Sequence, residues 1–225
     1  PTVKRGGVLK IAHTDVRAWD KDLDPQGALG IGTPIMQIYA NIYRSVVTWK
    51  VGQGGAEIEG ELAEKWEQPE PGRWVFKLRP GVKFHNGATL TSEDVKFQWE
   101  RNQDPKLVHP NSSWLDSIGS VETPDANTVV YRQKYPFVGL LGVFASERPG
   151  GVPNKAFTLD KKNDLRDAFC GTGPYTVKER VIDQYVELKR FDGYWRQGAD
   201  GKSLPYLDGL IYQKMPEEAA DRKST

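Results

Sequence analysis

One cysteine, Cys170, stands in 225 residues, so no internal disulfide can staple the fold, and redox chemistry says nothing about compartment. Beside Gly171, it reads as a packing residue. Histidine is nearly as scarce. His13, His85 and His109 fit neither H-E-x-x-H nor H-x-x-x-H, the spacings that put two imidazoles on one helical face, so no metal site is expected. No apolar run approaches the roughly eighteen residues of a membrane helix. The chain opens on Pro1-Thr2-Val3 without a basic and apolar leader, the expectation for a mature or trimmed form. Basic side chains number 31 and acidic ones 30, with no basic block to track a phosphate backbone, so nucleic acid is not an expected partner.

Catalytic templates are missing as well. There is no G-x-S-x-G elbow, and Cys170 has no neighbouring histidine in sequence to lower its pKa. Gly52-Gln53-Gly54-Gly55 and Gly171-Thr172-Gly173 lack the spacing of G-x-G-x-x-G and the Lys-Ser/Thr of a P-loop. Glu93-Asp94 and Glu217-Glu218 are adjacent pairs, which diverge on a helix instead of converging for acid-base work, so they read as solvated charge. An enzyme is not expected, and neither is a cofactor.

What the chain does have is aromatic side chains: seven Trp, nine Tyr and eight Phe, with 38% hydrophobic and 27% charged residues overall. That balance is ordinary for a globular protein, and most of the rings belong in cores. Its most ordered stretch is Trp74 to Phe97. Trp74, Phe76 and Leu78 alternate with Val75, Lys77 and Arg79, the pattern of a half-buried strand. Pro80-Gly81 ends it in a tight turn, Val82 to His85 is expected to return as a second strand, and Asn86-Gly87 turns the chain again. Thr91 then caps a helix with Asp94 in its first turn, and Val95 and Trp99 share one face.

Elsewhere the spacing predicts a strand over Val8 to His13 and a helix over Ile31 to Tyr43, with Ile35, Ile38, Tyr39 and Ile42 on its apolar face. A strand is predicted over Val46 to Val51, a flexible turn over Gly52 to Gly55, and a turn-rich element over Ile58 to Trp66. Ser112 to Ile118 reads as a helical turn, Val121 to Arg132 as a hairpin about Asp125-Ala126-Asn127, and Glu147 to Asp167 as a surface connection. Tyr175 to Val181 and Tyr185 to Arg190 read as paired strands, with Leu210 to Met215 the last strand.

The run LRPGVKFHNGATLTSEDVKFQWER resembles the signature of the family 5 extracellular solute-binding proteins, the peptide, nickel and sugar receptors of ABC importers. Further landmarks follow in that family's order: Gly6 to Ala12, Leu23-Asp24-Pro25, Tyr39 to Val47, Glu61 to Trp66, Ser120 to Val129, Gly171 to Tyr175, Phe191 to Trp195 and Leu204 to Asp208. The resemblance covers nearly the whole chain. It implies an α/β fold, a lobe like that of type II periplasmic binding proteins with a mixed sheet plus an inserted β-rich subdomain. The lobe would comprise 1–45 and 162–225 and the insert 46–161. It also implies a monomer, placed in the periplasm or outside the cell with or without a lipid anchor. Such a receptor would deliver an oligopeptide, oligosaccharide or metal chelate to an ABC transporter membrane permease. Relatives run to about twice this length, so a fragment lacking the second lobe, and weak ligand binding by this piece alone, are expected. A sensory ligand-binding domain, or an enzyme reusing the fold, is the alternative.

Candidate ligand-binding residues sit where loops leave strand ends, the places where α/β sheets present clefts. In the loop after the first strand, His13 could line the cleft, Asp15 meet a cationic group and Trp19 stack on a ring. Pro110 to Leu115 resembles the segment that puts an aromatic side chain into the pocket of peptide-binding relatives, which points to Trp114, with His109 and Asn111 beside it. His85, inside the hairpin string, reads as structural, and Gly171 and Gly173 read as positions of tight backbone conformation.

Overall fold

The computed structural model describes residues 3–13, 23–26, 33–50, 57–107, 112–146 and 150–215. Two four-stranded sheets carry the chain. The first is built from its two ends: β1 (Val8–His13), β8 (Tyr175–Val181), β9 (Tyr185–Arg190) and β10 (Gly209–Lys214), in the order β1-β10-β9-β8. β1 runs parallel to β10, with Val8 opposite Gly209 and His13 opposite Lys214, and the other pairs are antiparallel. The mixed sheet of the α/β reading is thus present. Helix α1 (Thr33–Ile42) covers it, and Ile35, Ile38, Tyr39 and Ile42, at the helical spacing read in the sequence, are all fully buried among Tyr175, Val186, Leu188 and Tyr212. Burying such side chains stabilises by roughly 1.5–3 kcal/mol each, which is what holds a ten-residue helix that would be marginal in water.

The second sheet is wholly antiparallel, in the order β4-β5-β7-β6, from β4 (Ala63–Glu70), β5 (Arg73–Leu78), β6 (Ile118–Asp125) and β7 (Thr128–Gln133). A small pair, β2 (Val47–Trp49) and β3 (Ile58–Gly60), leads into it. Helix α2 (Ser92–Gln103) lies against β6 and β7, and Phe76, Tyr131 and Phe144 meet with ring centroids 4.6–5.7 Å apart at the centre of this core.

The hairpin expected at Pro80-Gly81 is corrected by this arrangement. Gly81 does take a positive φ of 77°, but β5 pairs with β4 and β7, and Val82 to His85 forms no strand. Val82 and Phe84 are buried in the core, and the backbone bonds of this segment go elsewhere: Leu90 N–H to Val82, Phe84 N–H to Ala88 and His85 N–H to Gly171. Once β4 and β7 flank β5, no edge remains for a third partner. The turn-rich reading of Ile58 to Trp66 is likewise too modest, since Ala63 onward is a full strand.

At α2 the capping reading is met in the geometry, where the Asp94 carboxylate accepts from both the Thr91 N–H and its hydroxyl at 3.0 Å. The solvated reading of the Glu93-Asp94 pair holds for Glu93, which pairs with Lys155 on the surface, and fails for Asp94. Asp94 is buried because its other oxygen accepts from Lys155 N–H at 2.9 Å, at the start of α4 (Lys155–Asp160), so one carboxylate serves two helix N-termini. The connection read over Glu147 to Asp167 therefore contains a helix, capped by Asn154, whose side chain accepts from Phe157 N–H at 2.9 Å.

Candidate functional site

Three polar clasps join segments distant in sequence. The first uses Asp24 of the Leu-Asp-Pro landmark. Asp24 pairs with Arg101 of α2, both buried; Arg101 also donates to the Gln26 side chain at 2.6 Å and to the Asn163 side chain at 3.0 Å, and Gln26 donates to the Gln98 carbonyl at 2.8 Å. The second uses His85. Its Nε2 lies 3.0 Å from the Gly173 carbonyl, which can only accept, so Nε2 carries the proton and Nδ1 accepts from Gly171 N–H at 3.4 Å. Burial pulls the imidazole down to about 4, against a smaller opposing effect of the Gly173 bond, so it stays neutral at physiological pH. The third surrounds buried Glu61, which lies 3.3 Å from both Arg44 and Arg196, while Arg79 donates to the Glu61 carbonyl at 2.8 Å and lies 4.7 Å from the centroid of the Trp195 ring.

Gly171 and Gly173 belong to the second clasp, for a reason other than the one read from sequence. Neither has a positive φ. A Cβ on Gly171 would stand 2.0 Å from the Ile42 carbonyl oxygen, and one on Gly173 2.3 Å from that of Asn41, so only glycine lets this strand entry pass the end of α1. Cys170, next to them, is buried in the second core, where desolvation pushes its thiol up to about 11.

The surface offers a different kind of place. A short 3-10 helix (Ser112–Leu115) is pinned by fully buried Leu115 and by Gln103, which donates to the Ser112 carbonyl at 3.4 Å. That holds Trp114 outward, 47% exposed. Facing it is the turn after β7, with Tyr135 51% and Phe137 39% exposed; Phe137 folds back over Gly139, where a Cβ would come within 2.8 Å of its ring. The floor comes from Val143 of α3 (Leu140–Phe144). Ser113, Trp114, Ser117, Tyr135, Phe137 and Val143 thus line a groove of about 440 Å³, within the range of small-molecule sites, and among the described residues no charged side chain lines it. Ser117 is 3% exposed, fixed by its carbonyl accepting from Lys134 N–H at 2.8 Å, and its hydroxyl has no partner among the described residues.

A profile of the bacterial extracellular solute-binding proteins, family 5, middle region, matches residues 57–224. The chain belongs to that family. This family 5 chain is 31% identical over 201 residues to the dipeptide-binding protein of Escherichia coli K12, covering 78% of this chain and 36% of that protein, so it spans about a third of that relative's length. The PBP AgaA of A. tumefaciens R10, in complex with agropinic acid, superposes with a TM-score of 0.82 at 28% identity over 97% of this chain and 42% of its own. The periplasmic binding protein DppA of Helicobacter pylori, in complex with the peptide STSA, superposes equally well, at 0.82, over 98% of this chain and 45% of its own; at 23% identity it speaks for the fold alone. The fold is that of type II periplasmic binding proteins, α/β as read from the sequence.

Against that frame the family 5 landmarks turn out to be partners of one another. Leu-Asp-Pro meets the helix of the long signature, His85 meets Gly171-Thr172-Gly173, and Glu61 meets the Phe-Asp-Gly-Tyr-Trp segment through Arg196. Of the candidate binding residues, Trp114 lies in the groove. His13 does not: it ends β1, its ring stacked 6.4 Å from that of Tyr212, whose hydroxyl burial pushes up to about 12. Asp15, Trp19, His109 and Asn111 lie outside the described residues, as does the Gly52 to Gly55 turn. Tyr135, Phe137, Ser117 and Val143 escaped the sequence reading. Their signal was there: Tyr135-Pro136-Phe137-Val138 is an apolar run directly after a strand, too short and unperiodic to be an element of its own. Among the described residues no group of His, Cys, Asp and Glu could hold a metal, and no helix is long and apolar enough to cross a membrane.

Proposed function

We propose that this chain is part of a solute receptor that hands an oligopeptide, oligosaccharide or metal chelate to the membrane permease of an ABC importer, outside the cytoplasmic membrane. The family match over residues 57–224 carries this reading. Peptide is the solute class it favours, because the relative with 31% identity is named for dipeptides; the agropinic acid complex at 28% identity keeps small carboxylated conjugates in view. In this reading residues 1–45 and 162–225 form one lobe and 46–161 a β-rich insert, consistent with the first sheet drawing its strands from both ends of the chain and the second from its middle.

Solute would be met by Trp114 from the insert and, from the lobe, by His13 at the C-terminal end of β1 with Asp15 and Trp19 beyond it; His109 and Asn111 would flank Trp114. Strand C-termini are where α/β sheets leave room for ligands, and an outward indole supplies flat apolar area with one N–H donor. Binding and release require no bond to be made or broken, and among the described residues the groove's lining has no carboxylate, imidazole or amine to perform catalysis. The test is calorimetric titration of the full-length protein with di- and tripeptides, oligosaccharides, opines and nickel-histidine. Saturable binding of one class at micromolar affinity or better is expected, and loss of about tenfold or more on Trp114→Ala. Binding of no class would overturn the receptor reading, and unchanged affinity in the variant would remove Trp114 from the site.

A further inference from the structure

The groove's chemistry narrows what part of a solute enters it. We propose that it is a subsite for one uncharged aromatic or branched aliphatic side chain, with the Ser117 hydroxyl among its polar contacts; this rests on the receptor reading above. Three aromatic side chains, Trp114, Tyr135 and Phe137, stand about half exposed around one concavity, an arrangement that leaves apolar surface in water until something apolar covers it. A volume of about 440 Å³ accommodates a ring or a leucine side chain with part of its backbone. Phe137 is held over Gly139, and its carbonyl accepts from the Gln133 side chain at 3.2 Å, so the wall exists before ligand arrives.

Charge complementarity excludes the other side chains. Among the described residues the lining is two serines, three aromatics and a valine, so a carboxylate or ammonium pushed into the groove would lose water and find no counter-charge from them. Ser117 supplies the polar side of the argument. Ser117 lines the groove and its buried hydroxyl has no hydrogen-bond partner among the described residues, a condition it shares with the Thr172 hydroxyl elsewhere in the chain. A carbonyl or amide of the solute lying along the groove would satisfy it.

The test uses the full-length protein with Ala-Phe-Ala, Ala-Leu-Ala, Ala-Glu-Ala and Ala-Lys-Ala by calorimetry, and N-acetyl-phenylalaninamide as a fragment followed through the Trp114 indole N–H signal by NMR. The Phe and Leu peptides are expected to bind about tenfold or more tighter than the Glu and Lys peptides. Phe137→Ala should compress that ratio to about twofold, and Ser117→Ala, which removes one oxygen, should weaken the apolar peptides about threefold without changing their order. Both altered side chains sit at the groove wall, and circular dichroism confirms that each variant folds. If the fragment moves the Trp114 signal while no tripeptide binds, the subsite stands and the peptide-receptor reading falls. Tripeptides that bind without regard to side-chain charge, with both variants unchanged, overturn the subsite and leave the receptor reading intact. No response to fragment or peptide overturns the subsite.

Discussion

The clasps and the groove invert each other's rules. Around Asp24, His85 and Glu61, charged and polar side chains are buried and paired across distant segments; around Trp114, apolar rings are exposed. Folding explains the first region: each clasp joins segments tens of residues apart, and a misfit would leave a charge uncompensated in a low dielectric. It does not explain the second, since covering three rings would stabilise the chain and none of the described residues does so. The contrast separates residues that maintain the frame from residues available to a ligand, and it can be tested from both sides.

The largest effect is expected at the first clasp. Asp24→Ala leaves Arg101 buried without its carboxylate and should cost about 3–5 kcal/mol, lowering Tm by about 10 °C for a chain of this size. A loss under about 1 kcal/mol in denaturant melts would mean that Gln26 and Asn163 suffice to hold the guanidinium. Next is Gly171→Ala, where the new methyl meets the Ile42 carbonyl and α1 or the strand entry must move; about 3 kcal/mol of destabilisation is expected by the same assay.

His85 provides a pH-dependent test. Its imidazole is held near 4 in the fold against 6.5 when free, so between those values the unfolded chain binds a proton that the folded chain refuses. Stability should therefore be flat above about pH 6.5 and fall as pH drops toward 4, by roughly 3 kcal/mol at most. Thermal melts across that range, compared with His85→Gln, read the difference; parallel profiles would refute the assignment. The smallest effect on stability belongs to the groove. Trp114→Ala should change unfolding free energy by no more than about 0.5 kcal/mol, since the indole is half exposed, while still weakening solute binding. A loss of several kcal/mol would reclassify Trp114 as a core residue and erase the contrast between the regions.

Much of the frame was legible in the sequence because its signals are local. Ile35, Ile38, Tyr39 and Ile42 recur at helical spacing and are buried on one face of α1; Thr91 and Asp94 are three apart and meet in space; Pro80-Gly81 turns the chain with the φ that glycine permits. Long-range relations were not legible. No rule of spacing says that β5 will pair with β4 and β7 instead of Val82 to His85, because strand choice depends on which segments the rest of the chain delivers. Nor does composition distinguish Asp94, buried at two helix ends, from its exposed neighbour Glu93.

The candidate site divides in the same way. Trp114 could be singled out from the sequence; that Tyr135, Phe137 and Ser117 would join it could not, since β7 and the turn after it reach the 3-10 helix only through the packed sheet. By itself, then, the sequence determined the family, the α/β class and the local elements, all of which depend on residues within a turn or two of one another or on an ordered string of motifs. Tertiary structure alone decided which landmarks clasp, why Gly171 and Gly173 must be glycine, and where apolar surface stays uncovered. Those depend on distances between segments far apart in the chain, and only folding sets such distances.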